Sequence, residues 1–549
     1  MPADDRNRLS SPPANQGHFS SSASAWARVF FAPRGILTLF ALIYLATLTS
    51  DYFWDGITFA LQIEKVTKGE RGLSFLFHQN HLLYNALGYL LYISVRSLGL
   101  SFRALTILEL ANVVIGAIGV GLFFQLVERV TRSRYWATVC SMALAVSATW
   151  WKLSTDADAY IPAVVLILLC LRNLTGENPR WYIAAFALAG AMLMHEIASL
   201  FSLGAIATVF SSRLDNKKGF AAKMSIAAWL SVISVYYLCA YLLHGIGRPL
   251  DVIRWATSNP SLISPSVNPI PGLLQTPRAN LDLVVGHSFN IFLKTGGAIE
   301  WVAALASVAA GLTFIYKVTR NRCELLRQTI YKTKAGMRCC RMAYVTLAMW
   351  VAPYIIFLCF FEPQDPYLRL FYAPALFLAV GLFMSDQTTV GSLKVDSLRK
   401  QPTRYVGTSA AAYAVAMLAL GNLAFFIAPH LHVRSNQVVA AAREARKVWS
   451  APTVIYFESH NEADTTFEYF NDQTLWRKAT RLSEESLERD IESAHSKGES
   501  VWITREVVAS LDPEWLKWHT RGDEIRVDLA YAPAFYLHLE PLQLSNNPE

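Results

Sequence analysis

Residues 35–66 read GILTLFALIYLATLTSDYFWDGITFALQIEKV, and this stretch decides the fold class. Its first part, GILTLFALIYLA, carries no charged side chain, which is typical of a helix that enters a membrane. Two acids, Asp51 and Asp55, follow among aromatic residues where the apolar segment ends. Either Asp55 caps the next helix, or the two acids belong to an active site at the membrane surface.

The composition indicates a polytopic α-helical membrane protein. The chain has 549 residues, of which 53% are hydrophobic and 16% charged. Its apolar runs approach the ~20 residues that a helix needs to cross a ~30 Å hydrocarbon core. The net charge of +8 could suggest a nucleic-acid partner. The basic residues, however, cluster in short loops between apolar runs, as the positive-inside rule produces, and we therefore expect no nucleic acid.

Two apolar segments need interpretation before spans can be assigned. The segment 82–98 could cross the membrane or lie along its surface. The segment 181–211 would form one helix of about 46 Å, which is too long for a simple crossing. It also carries His195 and Glu196 at its middle, where ionisable groups are costly in lipid. We therefore predict two short helices that meet at these residues. The predicted segments are 36–50, 82–98, 104–127, 136–151, 159–172, 181–211, 224–243, 298–316, 342–361, 368–385 and 405–428.

Loop charge sets the predicted orientation. With a cytoplasmic N-terminus, a surface helix at 82–98 and a broken segment at 181–211, every strongly basic short loop falls on one side. This arrangement predicts about eleven spans in a bacterial inner membrane. It divides the chain into a disordered cytoplasmic tail (1–33), a transmembrane domain (34–430) and a small extracytoplasmic α/β domain (431–549).

The same orientation brings the polar residues of several loops to the outer face, where they would line a cavity. The candidate catalytic residues are Asp55, Asp156 and Asp158, and the candidate substrate-binding residues are Asp51, His78, His81, Tyr160, His195, Glu196, Glu362, Tyr367 and Arg369.

Several of these residues have both a functional and a purely structural explanation. Asp55 could act as a general base. Asp156 and Asp158 are two apart, so on an extended loop both could point into one space, or they could simply form a polar loop between spans. The guanidinium fork of Arg369 suits a phosphate, but an arginine there could also snorkel to the interface, and Lys152 offers a weaker version of the same choice.

Metal and disulfide chemistry receive little support from the sequence. His78 and His81 could bind a divalent metal with Asp55 or Asp158, although polar anchoring at the interface explains them better. Cys140, Cys170, Cys239 and Cys359 lie in apolar runs, and Cys323, Cys339 and Cys340 lie in a basic loop, so no disulfide framework is indicated. No metal ligand is assigned, and a divalent metal remains an open possibility.

The motifs SDYFWDG, HQNHLLYN, DADAY and YLRLFYAPALFLAVGL, with the break at His195-Glu196, resemble integral-membrane glycosyltransferases of the C-type superfamily. The similarity is to bacterial relatives of protein mannosyltransferases and of the aminoarabinose transferases that modify lipid A, and it covers roughly residues 36–430. It implies surface helices in a first outer loop, a catalytic acid there (Asp55), a polyprenyl-phosphate sugar donor and an inverting transfer of a hexose or pentose. The sequence departs from the pattern at HQNH, where relatives often have His-Pro-Pro, and at Asp55-Gly56, where mannosyltransferases have Asp-Glu.

The C-terminal tail has the sequence pattern of a small α/β domain. NQVVAAAREARKVW and SEESLERDIESAHSKG have helical patterning, while TVIYFES, SVWIT and AFYLHLEPL resemble strands. We expect this tail to recognise the acceptor or to cover the cavity.

The leading hypothesis is a membrane glycosyltransferase with a membrane-lipid-linked donor. The alternatives are a lipid-linked glycan ligase and a transporter, and the absence of a visible internal repeat argues against transport.

Overall fold

The structure is a computed structural model that describes residues 33–212, 214–258, 268–286, 298–320, 343–392, 403–432, 436–448, 453–457, 463–471, 474–478, 484–504, 512, 519–521 and 539–544. The predicted disorder of the N-terminal tail therefore lies outside the described residues, as do Cys323, Cys339 and Cys340. The first helices are α1 (Pro33–Ala46), α2 (Trp54–Thr67), α3 (Tyr84–Ser97), α4 (Ala104–Thr131), α5 (Arg134–Ala145), α6 (Ala148–Ser154), α7 (Tyr160–Leu174) and α8 (Trp181–Met194), with a 3-10 turn at Leu73–Leu76.

The remaining helices of the apolar part follow along the chain. They are α9 (Ser202–Ser211), α10 (Lys217–His244), α11 (Pro249–Thr257), α12 (Ile270–Val284), α13 (Ala298–Arg320), α14 (Ala343–Phe360), α15 (Ala373–Ser392), α16 (Thr403–Asn422) and α17 (Ala428–His430). A 3-10 helix at Leu368–Tyr372 leads into α15, and a π-helical turn at Leu423–Ile427 joins α16 to α17.

Among the described residues, five helices are long and apolar enough to cross a membrane, and shorter apolar helices stand at several of the other predicted spans. The five are Ala104–Thr131, Lys217–His244, Ala343–Phe360, Leu368–Ser385 and Ala410–His430. The predicted segment 136–151 is interrupted, since α5 ends at Ala145 and α6 begins at Ala148. The mainly helical fold is thus confirmed, while the total of eleven spans stays a prediction.

The predicted break in segment 181–211 is present. Helix α8 ends at Met194, His195 is extended at φ −155°, and a 3-10 turn at Glu196–Phe201 leads into α9. The end of α9 lies beside the start of α14, because Ser211 Oγ is 2.9 Å from Thr346 Oγ1. The other end of α14 reaches the cavity described below, as do His195 and Glu196. Helices α8 and α9 therefore run in opposite directions and meet at these two residues.

The segment 82–98 forms the amphipathic helix α3. It buries Tyr84, Asn85, Gly88 and Tyr92 against α2 and α4. Its opposite face exposes Leu87, Leu90 and Leu91, each at least 40% accessible. Leucines exposed on one face suit contact with lipid, which agrees with a helix that lies along the membrane surface.

The described part of the C-terminal segment contains helices and a five-stranded mixed sheet. The helices are α18 (Gln437–Val448), α19 (Ala463–Phe470) and α20 (Glu484–Ser496), and the strands are β1 (Thr453–Phe457), β2 (Thr474–Lys478), β3 (Ser500–Thr504), β4 (His519–Arg521) and β5 (Leu539–Leu544). The strand order is β2-β1-β3-β5-β4; β1 is parallel to β2 and β3, and β5 is antiparallel to β3 and β4. Helices α18 and α20 and strands β1 and β3 lie where the sequence predicts them, and β5 overlaps the end of the predicted strand AFYLHLEPL. Helix α19 and strands β2 and β4 were not foreseen.

The C-terminal segment packs on the loop that carries α2. Glu64 of α2 accepts hydrogen bonds from Arg103 Nε at 2.8 Å and from the hydroxyl of Tyr469 at 3.2 Å. The guanidinium of Arg103 also lies 4.1 Å from the ring centre of Tyr469, and Lys65 pairs with Glu468. Glu64 is only 6% exposed, so its carboxylate is buried in this contact, while the side chain of Arg103 stays partly accessible.

Candidate active site

A cavity of about 210 Å³ lies where several helix ends meet. The start of α2 contributes Trp54 and Asp55, the loop before α3 contributes His78, Asn80 and His81, and the end of α8 contributes His195 and Glu196. The start of α7, the end of α14 and the loop after it complete the lining with Tyr160, Phe357, Phe361, Glu362 and Asp365. The structure therefore brings together polar residues from five separate loops, as loop charge predicts.

Asp55 occupies the first turn of α2 and lines the cavity. The N-cap of this helix is Phe53, whose side chain makes no capping hydrogen bond, and Asp55 follows it by two residues. The capping interpretation of Asp55 is therefore wrong. A carboxylate in a first turn is still favoured by the helix dipole, so this position costs the fold little.

Gly56 explains how α2 approaches its neighbour. A Cβ atom built on Gly56 would stand 2.2 Å from the backbone oxygen of Ala157. Only a residue without a side chain allows this approach. Asp55 is thus fixed directly against the loop that carries Asp156 and Asp158.

Asp156 is fully buried and already holds several partners. Its Oδ2 accepts a hydrogen bond from Phe53 N at 2.9 Å and forms an ion pair with Lys152 Nζ at 2.6 Å. Lys152 also donates to the backbone oxygen of Asp51. Asp156 therefore ties α6 to the residue that caps α2, and it does not line the cavity.

Asp158 is fully buried behind the cavity wall. Its Oδ1 accepts from Tyr160 N at 3.1 Å, while its Oδ2 has no hydrogen-bond partner among the described residues. Burial raises the pKa of Asp158, and the charges of Asp55 and Asp156 raise it further. The side-chain amide of Asn112 donates to the backbone oxygens of both Asp156 and Asp158, at 2.8 and 2.7 Å, which fixes the shape of this loop.

Asp51 pairs with the last apolar helix rather than with the cavity. One carboxylate oxygen lies 3.0 Å from His430 Nε2. Burial alone would raise the pKa of Asp51, but the hydrogen bond with His430 and the charge of Lys152 lower it overall. Asp51 therefore joins the end of the first apolar segment to α17.

The loop between α14 and α15 contributes two acids to the cavity. Glu362 is exposed and has a φ of 42°, a left-handed conformation that is uncommon for a residue other than glycine. Burial raises the pKa of Asp365 to about 7, even though Tyr367 N donates to it at 2.6 Å. Asp365 was not among the residues singled out from the sequence, although its position within the predicted outer loop FEPQDPYLR was a usable signal.

Arg369 and Tyr367 lie behind the lining. Arg369 is fully buried and donates to the hydroxyl of Tyr372 at 2.7 Å and to the backbone oxygen of Pro363 at 2.6 Å, so it does not snorkel. Its Nε has no hydrogen-bond partner among the described residues. Tyr367 packs edge-on against Phe53, with ring centres 5.3 Å apart.

Of the predicted site residues, seven line the cavity and five lie in its supporting shell. The lining residues are Asp55, His78, His81, Tyr160, His195, Glu196 and Glu362. The shell residues are Asp51, Asp156, Asp158, Tyr367 and Arg369. No cluster of three or more His, Cys, Asp or Glu side chains that could hold a metal ion occurs within the described residues. Cys140, Cys170, Cys239 and Cys359 are buried free thiols.

The structural comparison shows that the fold, an apolar helical bundle with a polar cavity between its loops, is shared with solved structures of the kind that the sequence motifs resemble. The chain is similar to ArnT from Cupriavidus metallidurans in the apo state, with a TM-score of 0.56 and 12% identity over 95% of this chain and 98% of that one. It is also similar to the same protein bound to undecaprenyl phosphate, with a TM-score of 0.55, 12% identity and the same coverage. The sequence matches no protein-family model and no curated protein.

Proposed function

We propose that the protein is a membrane glycosyltransferase that moves a sugar from a polyprenyl-phosphate donor to an acceptor hydroxyl at the outer membrane surface. The acceptor oxygen would attack the anomeric carbon while the carboxylate of Asp55 takes its proton. The bond between the anomeric carbon and the phosphate oxygen would break, and the polyprenyl phosphate would leave with the electron pair. Direct displacement of this kind inverts the anomeric centre.

The position of Asp55 carries this proposal. Of the three predicted catalytic acids, it is the one that reaches the cavity in the part of the chain that the structure describes. Asp156 and Asp158 hold the loop against which Gly56 packs. We therefore assign the proton transfer to Asp55 and a supporting role to the other two acids.

The donor lipid is proposed from two observations. The fold is shared with a protein whose crystal structure contains undecaprenyl phosphate. In this chain, the positive charge of Arg369 acts on Asp365, which lines the cavity. A buried guanidinium close to the wall, with a donor still unused at Nε, can stabilise a departing phosphate.

The surroundings of the cavity fit an orientation in which the C-terminal segment lies outside the cytoplasm. Helix α19 packs on the loop that carries α2, and this loop ends in the cavity. The tail would then cover or approach the site from the aqueous side and take part in acceptor recognition. The basic loops between helices would face the cytoplasm of a bacterial inner membrane.

The substitution Asp55→Asn tests the proposal. It keeps the size of the side chain and most of its hydrogen bonding but cannot take a proton, so sugar transfer should fall by about 10²–10⁴-fold. The assay follows transfer from undecaprenyl-phosphate sugars by the full-length protein, and donor affinity should change little. Asp251→Asn is the matched control, because Asp251 is an acid on α11 outside the cavity with only a weak pair to Arg254. Normal transfer by folded Asp55→Asn protein would remove Asp55 from the mechanism.

A further inference from the structure

Two imidazole rings in the cavity have a fixed orientation. His81 is 7% exposed and His195 is 6% exposed. Their ring centres are 4.5 Å apart and the rings are nearly perpendicular, at 87°. Phe59 packs edge-on against His81 at 5.3 Å, and Phe371 packs edge-on against His195 at 5.1 Å. Because aromatic neighbours fix both imidazole rings, their nitrogen atoms have defined positions relative to a molecule bound in the cavity.

The hydrogen bonds of His195 determine its tautomer. Its Nδ1 accepts a hydrogen bond from the backbone N–H of Ile197 at 3.3 Å. A ring nitrogen that accepts cannot carry a proton, so the ring is neutral and its proton resides on Nε2. His195 therefore offers an N–H donor at Nε2.

His81 has the opposite arrangement. Its Nδ1 lies 3.4 Å from the backbone oxygen of Met194, and because a carbonyl only accepts, Nδ1 carries the proton. Burial, with a smaller effect from the charge of His78, lowers the pKa of His81 to about 3. The ring is therefore neutral near pH 7, and its Nε2 offers a lone pair.

Neither Nε2 atom has a hydrogen-bond partner among the described residues, and both rings line the cavity. Polar atoms that face a cavity bind water or a ligand, so both Nε2 atoms are available to a bound molecule. One donor beside one acceptor matches neither an anion, which only accepts, nor an ammonium group, which only donates. It also does not suit a metal ion held by both rings, because Nε2 of His195 already carries a proton. Hydroxyl groups both donate and accept, so they satisfy both atoms.

We propose that His81 and His195 recognise the transferred sugar, with His195 Nε2 donating to one sugar oxygen and His81 Nε2 accepting from a sugar hydroxyl. This inference rests on the proposed function and assigns the specificity of the same cavity. The two residues would discriminate among donors by the positions of their hydroxyl groups. They take no part in proton transfer to or from the reacting atoms.

Replacing either histidine by asparagine removes the Nε2 atom and keeps a polar atom in the place of Nδ1. In His195→Asn, the side-chain oxygen can still accept from Ile197 N, because asparagine is a good N-cap residue. In His81→Asn, the side-chain amide can still donate to Met194 O. Both variants lose the group at Nε2. His244→Asn, on the exposed end of α10, is the matched control.

The test measures binding to full-length protein in nanodiscs. The probes are undecaprenyl phosphate and its mannose, glucose and arabinose conjugates. We expect wild-type protein to bind one conjugate more tightly than the bare lipid. Each asparagine variant should bind that conjugate about three- to tenfold more weakly, which is the effect of one hydrogen bond. Its affinity for the bare lipid should equal that of wild-type protein. A monodeoxy conjugate lacking the recognised hydroxyl should bind wild-type and variant protein equally weakly.

Three results would overturn the inference. The first is an equal loss of affinity for the bare lipid and the conjugate, which would indicate a structural role for the histidines. The second is unchanged affinity for all probes in both variants. The third is a wild-type protein that binds every conjugate as it binds the bare lipid. If wild-type protein bound none of the lipids, the proposed donor would also be wrong, and this outcome is distinct from the other three.

Discussion

Replacing Gly56 by alanine tests the geometry on which the candidate site depends. The new Cβ atom would lie 2.2 Å from the backbone oxygen of Ala157, and an ordinary contact begins at 3.4 Å. Helix α2 or the 156–158 loop must therefore move by about 1.2 Å. The obstacle is backbone, held by Asn112 and by the Asp156–Lys152 pair, so a side chain cannot simply swing away.

The expected effects on stability and turnover differ in size. Overpacking usually costs about 1–3 kcal/mol, and alanine regains up to about 1 kcal/mol through its higher helix propensity. The net loss of stability should thus lie between about 0 and 3 kcal/mol. A displacement near 1 Å at the catalytic acid can, by contrast, reduce turnover about 10²-fold. We therefore expect a folded Gly56→Ala protein with severely reduced sugar transfer.

The assay compares sugar transfer and thermal unfolding in detergent for wild-type protein and two variants. Gly72→Ala is the control, since a Cβ atom there would meet only the hydroxyl of Ser74, at 3.8 Å. Gly72 lies in the same loop, and its substitution should leave transfer unchanged. Normal transfer by Gly56→Ala, together with stability equal to or above that of wild-type protein, would show that α2 does not approach Ala157 this closely.

The other predictions concern the charges around the cavity and the docking of the tail. Burial raises the pKa of Asp365 to about 7, so this group is neutral below that pH and negative above it. Undecaprenyl phosphate also gains charge near pH 6, so the measurement compares wild-type protein with Asp365→Asn: from pH 6 to 8 the affinity of wild-type protein should fall about three- to tenfold more than that of the variant, by roughly 1 kcal/mol of repulsion. Lys152→Met leaves the carboxylate of Asp156 buried without its cation, so thermal unfolding should show a loss of about 3–5 kcal/mol that adding Asp156→Asn partly restores. Tyr469→Phe removes the hydroxyl that bonds to Glu64, at a cost of about 1 kcal/mol, and limited proteolysis should then cleave the tail faster while the membrane helices stay intact.

The sequence predicted the features that depend on membrane physics. A helix of about 46 Å with two ionisable residues at its centre is unfavourable in lipid, and the chain does break at His195. The predicted surface helix at 82–98 has one apolar face and one packed face. The gathering of loop residues at one cavity also follows from orientation, because loops on the same side of a membrane can reach one another. These predictions needed only hydropathy, length and charge.

The division between lining and shell could not be predicted in the same way. Asp55 and Asp156 are both acids at the end of an apolar segment, and their surroundings in the sequence are alike. What separates them is that the carboxylate of Asp156 is occupied by Lys152, four residues earlier, and by the backbone N–H of Phe53, 103 residues away. Asp365 was not singled out from the sequence but does line the cavity, because its position depends on how the loop after α14 folds. Such pairings between distant residues are visible only in the folded chain.

Helix α2 connects the candidate active site at one of its ends with the C-terminal segment at the other. The helix has 14 residues and is therefore about 21 Å long. At its first turn, Asp55 faces the cavity while Gly56 packs on Ala157. Toward its last turn, Glu64 enters the network with Arg103 and Tyr469. A short helix fixed at both ends has little freedom to tilt, so a change in how the tail docks would be transmitted to the carboxylate at the opposite end. The tail would then influence the proposed transfer although none of its described residues lines the cavity, and binding of an acceptor to the tail would be one way to couple acceptor recognition to the position of Asp55.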